Sequence, residues 1–415
     1  MKSDFLVLSD APVSLLGDRL DFTRYADALA EVITDAATET PFTIGVFGPW
    51  GSGKSSLLRM LDQRLAEDHA ERVVRVHFNP WVHRREPNML LPLLHTLHDA
   101  LAEDRGNRFR EVAGKLGYVI ANLTSDALLK RLSGGAVTMD RIGELAERYA
   151  EQRGKVESEM RNLRRTLQEQ ADDVAAKGAR LLILVDDLDR CEPHEIIDLL
   201  ESVKLFLDLR HVLVVIAVAK NVVDRGVAVK YKDFGFGPDK VVEIGDEYLD
   251  KMIQLPLYLP PLDAGGYLSG LGLTGELAAH AGLLRAIVAP NPRRIKRVLN
   301  TCSILRTVTR SGDPDLRLDV LIRLVVLRVQ SPELYAAIAV RPGLAAALEA
   351  MYGGRLRLGH PDRLIEIYGQ VEAEAMKTAV QKFYRSQGYL SAVFSGTVFT
   401  EVQDDVSRYI MMLGS

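Results

Sequence analysis

The sequence has few cysteines, few tryptophans and no long apolar run. Its 415 residues include only two cysteines, Cys191 and Cys302. This count excludes a disulfide-stabilised scaffold and a zinc site built on four cysteines. The most apolar run, His211–Ala219, is far shorter than the roughly 18–20 residues that span a bilayer. The N-terminus also lacks the uninterrupted apolar core of a signal peptide. These absences predict a cytoplasmic protein without membrane insertion.

The charges are nearly balanced. Lysine and arginine together number 52 against 56 aspartate and glutamate residues, which gives a formal net charge of −4. This balance excludes a polybasic protein that coats nucleic acid, although it leaves room for a local basic patch. The apolar share of 47% and the charged share of 26% are typical of a soluble globular protein, and the length allows two or three domains.

Short apolar runs alternate with helical patterns through the first 260 residues or so. Such alternation is typical of an α/β fold in which a parallel sheet is covered by helices on both faces. The predicted strands are Phe42–Phe47, Arg72–Phe78, Arg180–Val185, His211–Val218 and Ile253–Leu257. We therefore predict a parallel-sheet core over residues 1–262.

Two regions lack strand patterns and are predicted to be helical. The first is an insertion at about 84–178, whose second half carries Glu–Arg and Glu–Lys pairs four residues apart. Its apolar positions Met160, Leu163, Leu167 and Val174 leave two alternatives, a helix packed on its own domain or a coiled coil. The second is an all-helical lid and C-terminal region over 263–415, with a further boundary near 312.

A glycine-rich segment follows the first predicted strand and precedes an amphipathic helix. It matches the pattern G-x-x-x-x-G-K-[ST], in which backbone N–H groups surround phosphate oxygens at a helix N-terminus. Lys54 is expected to reach the β- and γ-phosphates, and Ser55 is expected to bind Mg²⁺. The predicted nucleotide-binding residues are Gly48, Pro49, Trp50, Gly51, Ser52, Gly53, Lys54, Ser55 and Ser56.

Two adjacent carboxylates end the third predicted strand. Asp186 is expected to hold Mg²⁺ together with Ser55, and Asp187 is expected to activate a water molecule. A dedicated acid for water favours hydrolysis over transfer to another hydroxyl, so a kinase is disfavoured. Asp189 and Arg190 follow at once, and they leave open a salt bridge to a neighbouring loop or a role at a subunit junction.

Polar residues elsewhere are candidates for contacts around this site. Lys220 or Asn221, after the fourth strand, could contact a γ-phosphate. Alternatively, they could be ordinary polar residues at the end of a strand. Asn79 could hydrogen-bond a catalytic acid or water, or could be a turn residue before Pro80. The two tryptophans, Trp50 and Trp81, each lie in a motif loop and are expected to pack between these two loops.

A basic stretch without acids, Arg285–Arg310, includes a helix start in which Asn291 is the expected cap. Arg293 and Arg294 at its start are candidates to sense a γ-phosphate. The alternatives for this stretch are a solvated basic helix face and a contact with nucleic-acid phosphates.

Several motifs together resemble the KAP family of P-loop NTPases. They are GPWGSGKSSLL (48–58), HFNPW (77–81), LVDDLDRC (184–191), EYLDKMIQLPLYLP (247–260) and NPRRIKRVLN (291–300). The resemblance implies an additional-strand, catalytic-acid P-loop core, related to AAA+ and STAND ATPases, with Arg293 or Arg294 as a sensor in a helical lid. It also implies ATP as the nucleotide. Many family members carry transmembrane helices between the second and third motifs, whereas this sequence is charged and helical there.

We therefore expect a Mg²⁺-dependent ATPase whose cycle drives a conformational or oligomeric switch. The resemblance extends this expectation to bacterial anti-phage defence, with a homo-oligomer or an effector protein as partner. The alternatives are an ATP-binding signalling scaffold with little turnover and a DNA-associated ATPase that uses the basic stretch.

Overall fold

The computed structural model describes residues 7–86, 89–103, 108–124, 161–230, 238–312, 317–357, 370–384 and 388–414. By their internal contacts the residues form two units. One comprises Pro12–Pro260, and the other comprises Met1–Ala11 together with Pro261–Ser415. Our predicted core over 1–262 includes the N-terminal segment. Of its described residues, 7–11 group with the helical unit, where the side-chain amide of Asn300 bonds the backbone N–H and C=O of Leu8 at 2.7 and 2.8 Å.

All five predicted strands lie in one parallel sheet of the first unit. They are β1 (Phe42–Phe47), β2 (Val73–Phe78), β3 (Arg180–Val185), β4 (Val212–Val218) and β5 (Leu255–Tyr258). Their spatial order is β2–β3–β4–β1–β5, with every neighbouring pair parallel. The carboxyl ends of the strands therefore meet at one edge, where the loops after β1, β2, β3 and β4 carry the motif residues.

Helices cover both faces of the sheet because successive strand residues point to opposite sides. In β3, Leu182 and Leu184 pack with the helices that follow the N-terminal segment and β1. Leu181, Ile183 and Val185 pack on the other face, with the remaining helices of the unit. Both faces of β3 are thus covered by helices, which explains why its residues are almost all apolar and confirms the α/β class.

The helices of the first unit include eight with described bounds. They are α1 (Thr23–Thr34), α2 (Lys54–Asp68), α3 (Leu90–Ala102), α4 (Arg110–Thr124), α5 (161–176), α6 (Pro193–Phe206), α7 (Lys220–Lys230) and α8 (Pro238–Met252). Leu163, Leu167 and Val174 of α5 are buried in the core of their own unit, which favours the packed helix over the coiled coil. Met160 and the rest of 125–160 lie outside the described residues. Three short 3₁₀ turns, Leu15–Gly17, Pro80–His83 and Leu188–Arg190, complete the unit.

The second unit is helical throughout its described part. Its helices are α9 (Ala264–Gly270), α10 (Gly275–Ala279), α11 (Ala281–Ile287), α12 (Pro292–Gly312), α13 (Leu318–Gln330), α14 (Pro332–Val340), α15 (Gly343–Tyr352), α16 (Gln370–Tyr384), α17 (Leu390–Val393), α18 (Val398–Glu401) and α19 (Val406–Leu413). Helix α13 is central, since every residue from Val320 to Leu327 is buried. The boundary predicted near 312 borders residues 313–316, which lie outside the described chain.

Within the described ranges, no helix combines the length and apolar character needed to cross a membrane.

Candidate functional site

The loop between β1 and α2 is shaped by glycines. Gly51 and Gly53 have φ angles of 82° and 107°, in the left-handed region that other residues seldom adopt. A Cβ on Gly53 would lie 2.8 Å from both Leu20 Cδ1 and Phe22 Cε2, and a Cβ on Gly48 would lie 2.5 Å from Ser52 Oγ. Helix α2 begins directly after Gly53, so its unpaired N-terminal amides face the loop. The backbone path therefore favours glycine at positions 51 and 53, while at position 48 a side chain would displace the Ser52 hydroxyl.

Two serines of the loop and helix differ in what their hydroxyls contact. Ser52 Oγ is buried and has no hydrogen-bond partner among the described residues. Ser56 Oγ instead accepts from the backbone N–H of Val13 at 3.2 Å, which ties the preceding segment to α2. Ser52 thus offers a buried polar group to a ligand, whereas the hydroxyl of Ser56 already accepts a hydrogen bond from within the chain.

Lys54 is nearly buried at the first position of α2, with 8% of its side chain exposed. Its ammonium group donates to Gly48 O at 3.0 Å and to Pro49 O at 3.4 Å, and it forms an ion pair with Asp189 Oδ2 at 2.7 Å. Oδ1 of Asp189 accepts from the backbone N–H of Ala219, just after β4, at 2.6 Å. Asp189 therefore joins the lysine of the loop to the end of β4.

Ser55 and Asp186, the expected Mg²⁺ ligands, are in direct contact. Ser55 Oγ donates to Asp186 Oδ1 at 3.0 Å, and the backbone N–H of Asp187 donates to the same oxygen at 2.8 Å. Burial raises the pKa of Asp186 above its ordinary value, and these two hydrogen bonds offset only part of that rise. A hydroxyl and a carboxylate placed together are the oxygen ligands that Mg²⁺ takes beside phosphate oxygens, so the residues present fit this ion.

Asp187 is held by two donors from different loops. Its Oδ2 accepts from Asn79 Nδ2 at 3.2 Å, and its Oδ1 pairs with Arg190 Nε at 2.8 Å. Its own backbone is in the left-handed region at φ 58°, which is uncommon for a residue with a side chain. Asn79 also accepts from the backbone N–H of Trp81 at 3.1 Å. It therefore serves both functions that the sequence left open, as a turn residue and as a hydrogen-bond donor to the acid.

Arg190 is also stacked on an aromatic ring. Its guanidinium carbon lies 5.3 Å from the centre of the Trp81 ring, and that of Arg84 lies 5.4 Å from the same centre. Asp189 thus forms the expected salt bridge to a neighbouring loop, whereas Arg190 pairs within its own loop. A role of either residue at a subunit junction stays a prediction. The sequence pointed to Asp189 and Arg190 because they follow the strand-end carboxylates directly, but it did not indicate that Lys54 and Asp187 are the residues they pair with.

A cavity of about 530 Å³ opens at the carboxyl ends of β1, β4 and β5. Trp50, Tyr258 and Asn221 line it, and both aromatic rings are more than half exposed. Lys220 also lines it, with Nζ 3.1 Å from Asp224 Oδ1 and 3.0 Å from Asp246 Oδ1. Burial alone would lower the pKa of Lys220, but the hydrogen bonds to these two aspartates raise it. Lys220 is therefore already paired, whereas Asn221 remains a candidate ligand contact.

The basic stretch Arg285–Arg310 belongs to the second unit. Two of its arginines, Arg293 and Arg306, form ion pairs with acids of that unit. Asn291 caps the N-terminus of α12 by accepting from the backbone N–H of Arg294 at 3.1 Å. Arg293 Nε lies 3.5 Å from Asp10 Oδ2, while Arg294 is exposed. Arg306 forms a bidentate pair with Glu276 at 2.6 and 3.0 Å. The sensing role of Arg293 or Arg294 stays a prediction.

The cysteines are inert in this fold. Burial raises the pKa of Cys191 and of Cys302 to about 12, so both remain thiols at neutral pH. In the part of the chain that can be described, no group of three or more His, Cys, Asp or Glu side chains could hold a metal ion by itself.

Comparison with known proteins gives a family and several distant relatives. The KAP family P-loop domain matches residues 22–265, more than half of the chain. A protein of Escherichia coli strain K12 named phage T7 exclusion protein is 22% identical over 367 residues, which is 77% of this chain and 45% of that protein. The chain thus spans about half the length of this relative. Human kinase D-interacting substrate of 220 kDa is 34% identical over 55 residues, 13% of this chain and 3% of that protein.

Among solved structures, the Aeropyrum pernix ORC1 protein in complex with DNA is similar over 87% of this chain and 81% of that chain. The identity is 16% and the TM-score 0.33.

Proposed function

Because the chain belongs to the KAP family of P-loop domains, we propose that it binds ATP with Mg²⁺ and hydrolyses it. The observation that carries this proposal is the 3.0 Å contact between Ser55 and Asp186, which joins the end of β3 to the start of α2. This contact places a hydroxyl and a carboxylate beside a loop whose backbone amides and lysine suit phosphate oxygens. Adenine as the base rests on the family.

The chain's own residues suggest how the nucleotide would be held. The backbone amides of Gly51–Ser56 would bind the phosphates, and Ser52 Oγ offers a further buried group. Lys54 would contact the β- and γ-phosphates, while Ser55 and Asp186 would hold Mg²⁺. When bound, Mg²⁺ supplies positive charge that stabilises the developing charge on the phosphate oxygens.

Asp187 is the residue that we place as the base. It would accept a proton from a water molecule that attacks the γ-phosphorus, while the bond from that phosphorus to the β–γ bridging oxygen breaks, giving ADP and phosphate. Asn79 and Arg190 would keep the carboxylate of Asp187 in place through their contacts at 3.2 and 2.8 Å.

The test is Mg²⁺-dependent release of phosphate from ATP. We expect Lys54→Ala to abolish it, because the lysine charge next to the phosphates would be lost. Lys204→Ala is the matched control, since Lys204 is a partly exposed lysine of α6 that pairs with Asp208. Wild-type activity in Lys54→Ala would overturn the proposal.

We further propose that the ATP cycle drives a conformational or oligomeric switch, with Arg293 or Arg294 of the helical unit as the γ-phosphate sensor. The relative named phage T7 exclusion protein supports a place in anti-phage defence. The partner would be a second copy of this chain or an effector protein. Light scattering with and without a non-hydrolysable ATP analogue tests self-association, and unchanged mass in both states would contradict an oligomeric switch.

One observation favours a second function, an ATP-binding scaffold with little turnover. Both Lys54 and Asp187 form ion pairs within the chain, and a protein that kept these pairs with ATP bound would hydrolyse the ATP slowly. Slow phosphate release together with nucleotide-dependent self-association would support this scaffold. The DNA-associated alternative gains less support, because Arg293 and Arg306 are paired with acids. ATP hydrolysis that DNA stimulates, with a stimulation that decreases as the salt concentration rises, would support this alternative.

A further inference from the structure

Lys54 has no hydrogen-bond donor to spare. A lysine ammonium group has three donors, and in this chain they face three protein acceptors. Two are backbone carbonyls, Gly48 O at 3.0 Å and Pro49 O at 3.4 Å, and the third is the carboxylate of Asp189 at 2.7 Å. A phosphate can bind Lys54 only if one of these acceptors gives way.

Asp189 is the acceptor that most resembles a phosphate. Its carboxylate is anionic and makes the shortest of the three contacts, and the side chains of both partners are only 8% exposed. Ion pairs buried to this degree are little screened by salt. The second carboxylate oxygen accepts from the backbone N–H of Ala219 at 2.6 Å, so Asp189 is fixed at both oxygens.

Release of Lys54 leaves Asp189 in an unfavourable state. Its remaining contact would be the hydrogen bond from Ala219, and a buried carboxylate without a counter-charge is strongly destabilising. Its negative charge would also repel the phosphates that replace it. Both effects oppose nucleotide binding, and both come from the charge of Asp189.

We propose that Asp189 is a built-in competitor of the nucleotide phosphates for Lys54, and that it sets the affinity of the site by occupying the lysine when no ligand is bound. The proposal rests on the proposed function, since it assumes that phosphates bind this loop. It predicts that the affinity is limited by the charge of Asp189 rather than by the shape of the loop.

The test compares Asp189→Asn with the wild-type chain by calorimetric titration with MgADP. Asparagine keeps the size of the side chain and an oxygen for the Ala219 amide, but it removes the charge. We expect MgADP to bind at least tenfold more tightly to the variant. Tripolyphosphate, which has no base, should gain by a similar factor, whereas adenosine should gain nothing.

The matched control is Asp62→Asn. Asp62 lies on the same helix as Lys54 and pairs with Arg75 at 2.8 Å, so its replacement removes one negative charge from a partly buried ion pair without touching the loop. MgADP affinity should stay within twofold of wild type. If Asp189→Asn fails to fold by thermal melting, Asp189→Ser removes the same charge and is titrated instead.

The outcomes separate this proposal from the proposed function. If the wild-type chain binds MgADP, and the variant binds it equally or more weakly, Asp189 supports Lys54 rather than competing for it, and the proposal fails. An equal gain in the control would assign the effect to overall charge and would also overturn it. If neither the wild-type chain nor the variant binds MgADP, the proposed function itself fails.

Discussion

The two units of the chain bury charged side chains in different ways. In the sheet unit, buried Lys54 donates to two backbone carbonyls, and its shortest contact is the ion pair with Asp189 at 2.7 Å. In the helical unit, Glu349 is fully buried and accepts from the backbone N–H groups of Phe399 and Thr400, both at 2.9 Å, whereas Arg355 lies 3.8 Å away. Arg323 is also buried there, and it donates to the backbone carbonyls of Ala392 and Val393.

The difference lies in whether a ligand could replace the partner. Glu349 satisfies amides at the start of α18, and Arg323 satisfies carbonyls near the end of α17, so each completes the hydrogen bonding of a helix end. Removing these charges would leave backbone groups unpaired. Asp189, in contrast, holds a lysine that a phosphate can also hold. We therefore expect the buried charge of the sheet unit to serve ligand binding and the buried charges of the helical unit to serve stability.

The largest effect should come from the acid that we place as the base. Asp187→Asn keeps the size of the side chain but cannot accept a proton, so we expect ATP turnover to fall about 10²–10⁴-fold. MgATP affinity and the melting temperature should change little, because Asp187 is not expected to contact the phosphates. Phosphate release and calorimetric titration measure the two quantities.

Asp173→Asn is the control for Asp187→Asn, since Asp173 pairs with Lys115 on the surface of the same unit. Turnover near the wild-type rate in Asp187→Asn would show that another group activates the water.

The opposite pattern is expected for Glu349→Ala. This change leaves the buried N–H of Phe399, and the partly buried N–H and hydroxyl of Thr400, without their acceptor, so we expect the free energy of unfolding to fall by about 2–4 kcal/mol. Urea unfolding measures it. Glu333→Ala, which removes an exposed glutamate from the first turn of α14, should cost less than about 0.5 kcal/mol. Equal losses in the two variants would contradict a structural role for Glu349.

Much of the fold and part of the site could be predicted from the sequence. Strands buried on both faces are apolar throughout, so β3 and β4 were recognisable, and the carboxyl ends of parallel strands meet at one edge. Ser55 and Asp186 could therefore be expected to lie together although 131 positions separate them. The glycines of the loop were equally recognisable, because their residue type is fixed by the backbone that they must adopt.

Other pairings depend on geometry that no pattern encodes. Asp186, Asp187 and Asp189 are alike as residues, and only the backbone from Asp187 at φ 58° through the turn Leu188–Arg190 decides which of them faces Lys54. Glu349 meets Phe399 across 50 positions, and Leu8 meets Asn300 across 292. Such contacts arise from packing between distant segments, which local periodicity does not report.

A smaller effect is expected for Arg323→Met. Methionine has a similar length and no charge. The change removes the hydrogen bonds to two carbonyls of α17, which is unfavourable. It also removes a buried charge, which is favourable, since burial of the guanidinium is costly and lowers the pKa of Arg323. We expect the free energy of unfolding, measured with urea, to fall by about 1–2 kcal/mol, because the cost of the unpaired carbonyls exceeds the gain from no longer burying a charge. Arg357→Met, at an exposed position, is the control. A more stable Arg323→Met would show that this buried charge is not structural.

The smallest effect should be seen at Asp319, a partly exposed charge at the start of α13. Burial would raise the pKa of Asp319, but the hydrogen bonds and charge of Arg317 outweigh it, so the pKa is lowered from 3.8. A carboxylate whose pKa is lower in the folded chain adds stability that is complete above the unfolded value and is lost as pH falls through the folded value. Asp319→Asn should therefore be less stable than wild type by under about 1 kcal/mol at pH 6. The gap should begin to narrow as pH falls below 3.8, and it should close once the pH is below the lowered pKa of Asp319 in the folded chain, where wild type also loses the charge. Urea unfolding of both chains across this range measures it, with exposed Asp404→Asn as the control. A gap independent of pH would mean that Asp319 acts through its shape and hydrogen bonds, as Glu349 and Arg323 do, rather than through an ion pair.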